Sequence, residues 1–67
     1  MIIRYDQNVD ILYIRFKETP IVESDELAPL IIADYDAQGN IVGLEILEIS
    51  QRNDKDWRFL CEFVPKT

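Results

Sequence analysis

The sequence contains no histidine and a single cysteine, Cys61. One cysteine cannot form an intramolecular disulfide, and the lack of histidine removes the commonest transition-metal ligand in proteins. A chain of 67 residues is one small domain, and apolar burial in a domain of this size barely offsets the conformational entropy lost on folding. Since neither a disulfide nor a histidine-bound metal is available to stabilise the fold, we expect a homodimer or larger homo-oligomer. We expect no cofactor.

Long apolar runs are also absent. No uninterrupted apolar stretch is longer than that from Leu30 to Ala33, which is far shorter than a membrane span or the apolar part of a signal peptide. We therefore expect a cytoplasmic protein that does not associate with membranes.

Basic residues are missing from the whole middle of the chain. All seven lysines and arginines lie outside the range from Glu18 to Gln51, and the net charge is −6. Such a surface repels phosphate backbones, so we expect no nucleic-acid binding by this protein alone. It suits a basic protein partner, although acidity of this kind also serves solubility alone. The eight carboxylates within that range are Glu18, Glu23, Asp25, Glu26, Asp34, Asp36, Glu45 and Glu48.

Alternation of apolar and polar residues predicts strands over most of the chain. The acidic third strand is expected at a sheet edge, where charge discourages unwanted pairing. Asp36 and Gly39 suit the first and fourth positions of a type I turn, which predicts a hairpin with a glycine bulge. The predicted strands run from Ile2 to Asp6, Ile11 to Phe16, Ile21 to Leu27, Leu30 to Asp36 and Asn40 to Ile49.

The C-terminal segment permits two interpretations. Trp57, Leu60, Cys61 and Val64 have helical spacing, whereas Trp57 to Val64 also alternates as a strand would. We predict a short helix within Ser50 to Phe63, with an extra strand as the alternative. The fold class is then α+β and mainly β: a small antiparallel meander sheet of about five strands with a short C-terminal helix or extra strand.

Aromatic and aliphatic side chains in this segment are candidate anchors for a protein partner. The alternative is that they dock on the domain's own sheet, and a segment exchanged within a homodimer would satisfy both interpretations. Cys61 has apolar neighbours, which predicts a packed thiol. The candidate partner-binding residues are Trp57, Phe59, Leu60 and Phe63.

The carboxylates give two chemical hypotheses. The segment from Asp34 to Glu45 matches part of a calcium loop, but Gln38 replaces a ligand and the flanks are predicted strands instead of helices. We therefore predict no metal site. Paired carboxylates also serve in acid–base catalysis, but no histidine or activated nucleophile accompanies them here, so we predict no enzyme. The alternative is a small-ligand or metal-assisted enzyme using Asp6, Asp10, Asp34 and Glu45.

Two blocks resemble a known family. Tyr5 to Ile14, YDQNVDILYI, resembles the opening block of the small prokaryotic domain of unknown function 2283, and Asp34 to Leu47, DYDAQGNIVGLEIL, resembles its second block. The resemblance covers residues 1 to about 49 and implies a mainly antiparallel β domain with a short C-terminal helix and no established activity. Some members are encoded beside a small candidate toxin. We therefore predict an uncharacterised non-enzymatic protein-interaction module, for which an antitoxin role is one form.

Overall fold

Five strands form one antiparallel sheet in the computed structural model, which describes residues 1–52, 58 and 60–67. The order across the sheet is β1-β2-β5-β4-β3. Thus β1 and β2 form a hairpin, β3 to β5 form a meander, and the last strand lies in the middle. The strands are β1 (Ile2–Asp6), β2 (Ile11–Arg15), β3 (Glu23–Ala28), β4 (Ile31–Tyr35) and β5 (Ile41–Leu47), and a 3₁₀ turn (Ile49–Arg52) follows.

The predicted mainly β fold is confirmed, including the position of the acidic strand. β3 lies at one edge of the sheet with Glu23, Asp25 and Glu26 exposed, where their charges oppose pairing with another edge. β5 is central, as expected for a strand with apolar residues on both faces. The strand ends differ from the prediction by up to two residues, because apolar alternation continues into turns at Phe16 and Ile21.

The turn between β4 and β5 has the predicted geometry. The amide of Gly39 donates to the carbonyl of Asp36 at 3.1 Å, and Gly39 has φ of 83°. The Asp36 carboxylate accepts hydrogen bonds from the amides of Gln38 at 3.0 Å and Asn40 at 2.9 Å. Led by the Asn40 amide, these bonds lower the pKa of Asp36. Asp36 therefore fixes the turn locally.

The turn between β3 and β4 contains a strained residue. Leu30 follows Pro29 and has φ of 65°, which fits the third position of a type II turn, where glycine or asparagine is preferred. A leucine in this region carries about 1–2 kcal/mol of strain.

We expect Leu30→Gly to exceed Leu30→Ala in free energy of unfolding by roughly 0.5–1 kcal/mol, because glycine relieves the strain and this relief exceeds the added flexibility of the unfolded chain. Leu30 is 39% exposed, so both variants lose the same partly buried side chain and their difference reports the backbone. Urea denaturation checks this, with position 27 as the control: Leu27 lies within β3, so Leu27→Gly should be less stable than Leu27→Ala. A Leu30→Gly protein no more stable than Leu30→Ala would contradict the strain argument.

The two faces of the sheet differ in chemistry. The pairing register places most of the large aliphatic side chains of β1, β2, β4 and β5 on one side, which we call the apolar face. Its members are Ile3, Tyr5, Leu12, Ile14, Ile31, Ala33, Leu44 and Ile46, with Asp25 and Ala28 at the β3 edge. The opposite side, which we call the polar face, carries the polar residues Arg4, Asp6, Tyr13, Arg15, Ser24, Glu26, Asp34 and Glu45 together with Ile2, Ile11, Ile32 and Leu47. Leu12, Ala33 and Val42 are the buried hydrophobic residues of the described chain.

The described part of the chain forms a single layer. Among the described residues, extensive contacts between elements occur only between neighbouring strands. After the 3₁₀ turn, Arg58 and residues 60–67 are neither helix nor strand. The predicted C-terminal helix is thus represented in these residues by Ile49–Arg52 alone. Among the described residues, no helix is long and apolar enough to cross a membrane.

Candidate functional site

Two carboxyl groups lie side by side near the centre of the polar face. Asp34 in β4 pairs with Gly43 in β5, and Glu45 in β5 pairs with Ile32 in β4. The two acids are therefore diagonal neighbours on adjacent strands, a separation that long side chains bridge. Their side chains are hydrogen-bonded to each other.

Because Gly43 has no side chain, the Asp34 carboxylate has space beside it. A Cβ atom on Gly43 would lie 3.3 Å from Oδ2 of Asp34 and 3.1 Å from the carbonyl oxygen of Ile14. On the other side, the Ser24 hydroxyl donates to Oδ1 of Asp34 at 2.7 Å. Asp34 is only 5% exposed. Its orientation is therefore set by three strands: β3 supplies the donor, β4 the acid and β5 the space.

Glu45 holds its proton unusually well. Burial, then the hydrogen bond with Asp34 and the negative charge of Asp34, raise the pKa of Glu45 from 4.5 to about 7. Two carboxyl groups in contact repel each other strongly when both are ionised, which favours the protonated form of Glu45. Glu45 is therefore able to gain or lose a proton near neutral pH.

Arg15, which lies beside Gly43, directs its guanidinium to backbone carbonyls. Arg15 lies beside Gly43, its Cδ being 3.4 Å from the position of a Gly43 Cβ. However, its guanidinium donates to the carbonyls of Lys17 and Thr19. Arg4 lies over the Tyr13 ring, 4.5 Å from its centroid. Both arginines are thus held against the β1–β2 half of the sheet.

Asp10 belongs to a separate group of polar residues. Its carboxylate accepts the Tyr5 hydroxyl at 2.8 Å, the Ser50 hydroxyl at 2.6 Å and the Ser50 amide at 3.1 Å. The hydrogen bond from the Ser50 side chain, followed by that from Tyr5, lowers the pKa of Asp10. Asp10 therefore joins the first hairpin to the start of the 3₁₀ turn. No sequence pattern indicated Ser50, which is 40 residues away.

The four acids of the enzyme hypothesis are not gathered in one site. Asp34 and Glu45 are in contact, whereas Asp10 binds Tyr5 and Ser50. Asp6 accepts the Asn8 amide at 3.0 Å and shapes the first turn. Among the residues that the structure describes, no three His, Cys, Asp or Glu side chains form a group able to hold a metal ion.

A family model described as Protein of unknown function (DUF2283) matches residues 2–50. The chain belongs to this family. The matched residues of the DUF2283 domain include the Asp34–Glu45 pair, Asp10, Gly43 and all five strands. Searches of curated proteins and of solved structures give no match. The function of this family is unknown, so membership implies no activity.

The predicted partner-binding segment lies outside the matched DUF2283 residues. Leu60 is 81% exposed and Phe63 is 92% exposed, so neither covers the sheet of this chain. Trp57 and Phe59 lie outside the residues that the structure describes. Cys61 is exposed, and the prediction of a packed thiol is wrong for the single chain.

Proposed function

We propose that this DUF2283 protein is a cytoplasmic, non-enzymatic protein-interaction module. The observation that supports this most strongly is the exposure of the apolar C-terminal side chains: Leu60, Phe63 and Val64 are each at least 80% exposed. Aromatic and large aliphatic side chains that enter pockets provide much of the energy of protein–protein binding. A segment of this kind is an anchor that a partner would bury.

The charge of the domain indicates the kind of partner. Glu23, Asp25 and Glu26 are exposed along the β3 edge, and the range from Glu18 to Gln51 has no basic residue. Acidic surfaces attract basic partners and accelerate their association. We propose a basic protein as the partner, with an antitoxin-like role as one form of the function.

The test is affinity capture from native lysate with the wild type and two variants. Leu60→Ser/Phe63→Ser removes the two exposed anchors, whereas Val9→Ser removes an exposed apolar side chain of the first turn that is 54% exposed. We expect a stoichiometric basic partner with the wild type and with Val9→Ser, and at least tenfold less with the double variant, about 1.4 kcal/mol. Equal capture by all three proteins, or no stoichiometric partner, would contradict the proposal.

The antitoxin form has its own test. If the captured partner arrests growth when expressed alone, co-expression of the wild-type protein should restore growth and co-expression of the double variant should not. Growth unaffected by the partner would leave the interaction module in place and remove the antitoxin role.

One observation favours the alternative, a small-ligand or metal-assisted enzyme. The pKa of Glu45, about 7, suits general acid–base chemistry at neutral pH. The Asp34–Glu45 pair would then be the reactive centre. Thermal unfolding with and without calcium, magnesium or manganese tests the metal version: a higher unfolding temperature supports it, and an unchanged one at millimolar ion contradicts it.

A further inference from the structure

The apolar face has no second layer in the described chain. Ile3, Ile14, Leu44 and Ala33 form one continuous row across four strands, and Tyr5, Leu12, Ile46 and Ile31 form the next. Stable sheets bury such a face against another layer. The described C-terminal residues do not supply that layer, because Leu60, Phe63 and Val64 remain exposed.

The exposed surface of the chain is large for its mass. A monomeric protein of 7.9 kDa is expected to expose about 4,400 Å², whereas this chain exposes 5705 Å². Part of the surplus of about 1,300 Å² belongs to the C-terminal segment, and the whole exceeds the roughly 800 Å² that each partner buries in a standard interface. One further protein layer of similar size would account for it.

We propose that a second copy of this chain covers the apolar face, giving a two-fold symmetric sandwich in which the two apolar faces pack together. The two-fold axis runs parallel to the strands and passes close to β5. This proposal does not depend on the basic partner of the interaction module, because it uses the opposite face from the Asp34–Glu45 pair and does not use the C-terminal anchors.

Charge selects this axis over the other face-to-face arrangement. Asp25 pairs with Ala33 and ends the first apolar row at the β3 edge, while Ile3 ends the same row at the β1 edge. An axis across the strands that follows this row would stack Asp25 near Asp25 of the second copy, and like charges facing each other are destabilising. An axis along the strands places Asp25 near Ile3 of the second copy instead.

Two adjacent isoleucines give a matched test of the buried face. Ile3 is 55% exposed on the apolar face, and Ile2 is 51% exposed on the opposite side of the same strand. Sedimentation and light scattering of the purified protein should give twice the chain mass of 7.9 kDa. Ile3→Glu should raise the dimer dissociation constant at least tenfold, and Ile2→Glu should leave it within twofold. Circular dichroism establishes that both variants remain folded.

Charge reversal tests the axis. Ile3→Lys should weaken the dimer less than Ile3→Glu, because the lysine lies near Asp25 of the second copy. In an Asp25→Lys background the order should reverse, with Ile3→Glu the tighter dimer. A monomeric wild type, or a dimer that Ile2→Glu disrupts and Ile3→Glu does not, would overturn the proposal. Equal effects of lysine and glutamate at position 3 would overturn the axis.

Discussion

Gly43→Val is expected to lower the free energy of unfolding by about 1–3 kcal/mol, the range found when extra atoms enter a packed site. A Cβ at this position would meet the Ile14 carbonyl oxygen at 3.1 Å and Oδ2 of Asp34 at 3.3 Å. The carbonyl is part of the β2–β5 pairing and has little freedom to move. Valine favours strands over glycine by at most about 1 kcal/mol, so the collision outweighs the propensity. Urea denaturation followed by circular dichroism measures the difference.

Two further variants identify the source of this loss. Gly43→Ala introduces the Cβ alone and should be less destabilising than valine. Its cost should fall when Asp34→Ala is also present, because one of the two close contacts is then removed, so the two changes should be non-additive. A Gly43→Val protein as stable as the wild type would show that β2 and β4 accommodate the side chain, and would contradict the role assigned to Gly43.

Glu45→Gln is expected to stabilise the protein at pH 8 by about 1–3 kcal/mol and to have little effect at pH 5. The pKa of Glu45 is about 7 in the folded protein and 4.5 ordinarily. Between these values the folded state holds a proton that the unfolded state has lost. Each pH unit across that window therefore lowers the free energy of unfolding by up to about 1.4 kcal/mol. The partial exposure of Glu45 reduces the total.

The raised pKa of Glu45 fixes the direction in which the free energy of unfolding changes with pH. The stabilisation from Glu45 is complete below pH 4.5 and is lost as the pH rises through 7. Glutamine keeps a neutral group beside Asp34 at every pH, so the difference between variant and wild type should grow from pH 5 to pH 8. Glu26→Gln, an exposed change on the same face, serves as the control and should retain the wild-type slope. A Glu45→Gln protein with the wild-type slope would contradict the raised pKa of Glu45.

Local patterns predicted much of this fold because their causes are local. The Asp36–Gly39 turn could be predicted from residue types, since the aspartate bonds its own turn and glycine adopts a positive φ without strain. Strand alternation predicted all five strands, and clustered acids placed β3 at an edge. Leu30 shows the limit: its φ of 65° is unusual for leucine, so no residue preference indicated it.

The candidate site was only partly predictable. Asp34 and Glu45 could be proposed as a pair because the predicted hairpin brings β4 and β5 together. The contribution of Ser24 could not, since it depends on the register between β3 and β4. The Asp10–Ser50 contact joins residues 40 positions apart. Neither strand alternation nor a turn motif indicates a contact between residues so far apart in sequence.

The sequence by itself determined the strands, the hairpin turn, the acidic character and the family of this protein, because these follow from neighbouring residues and composition. The tertiary structure decided which strands are adjacent, and hence which side chains share a face. The insertion of β5 between β2 and β4 places Gly43 beside Asp34 and aligns aliphatic residues of four strands in two rows on the opposite side. Both consequences depend on strand order and register, which are set by burial across the whole sheet instead of by any single segment.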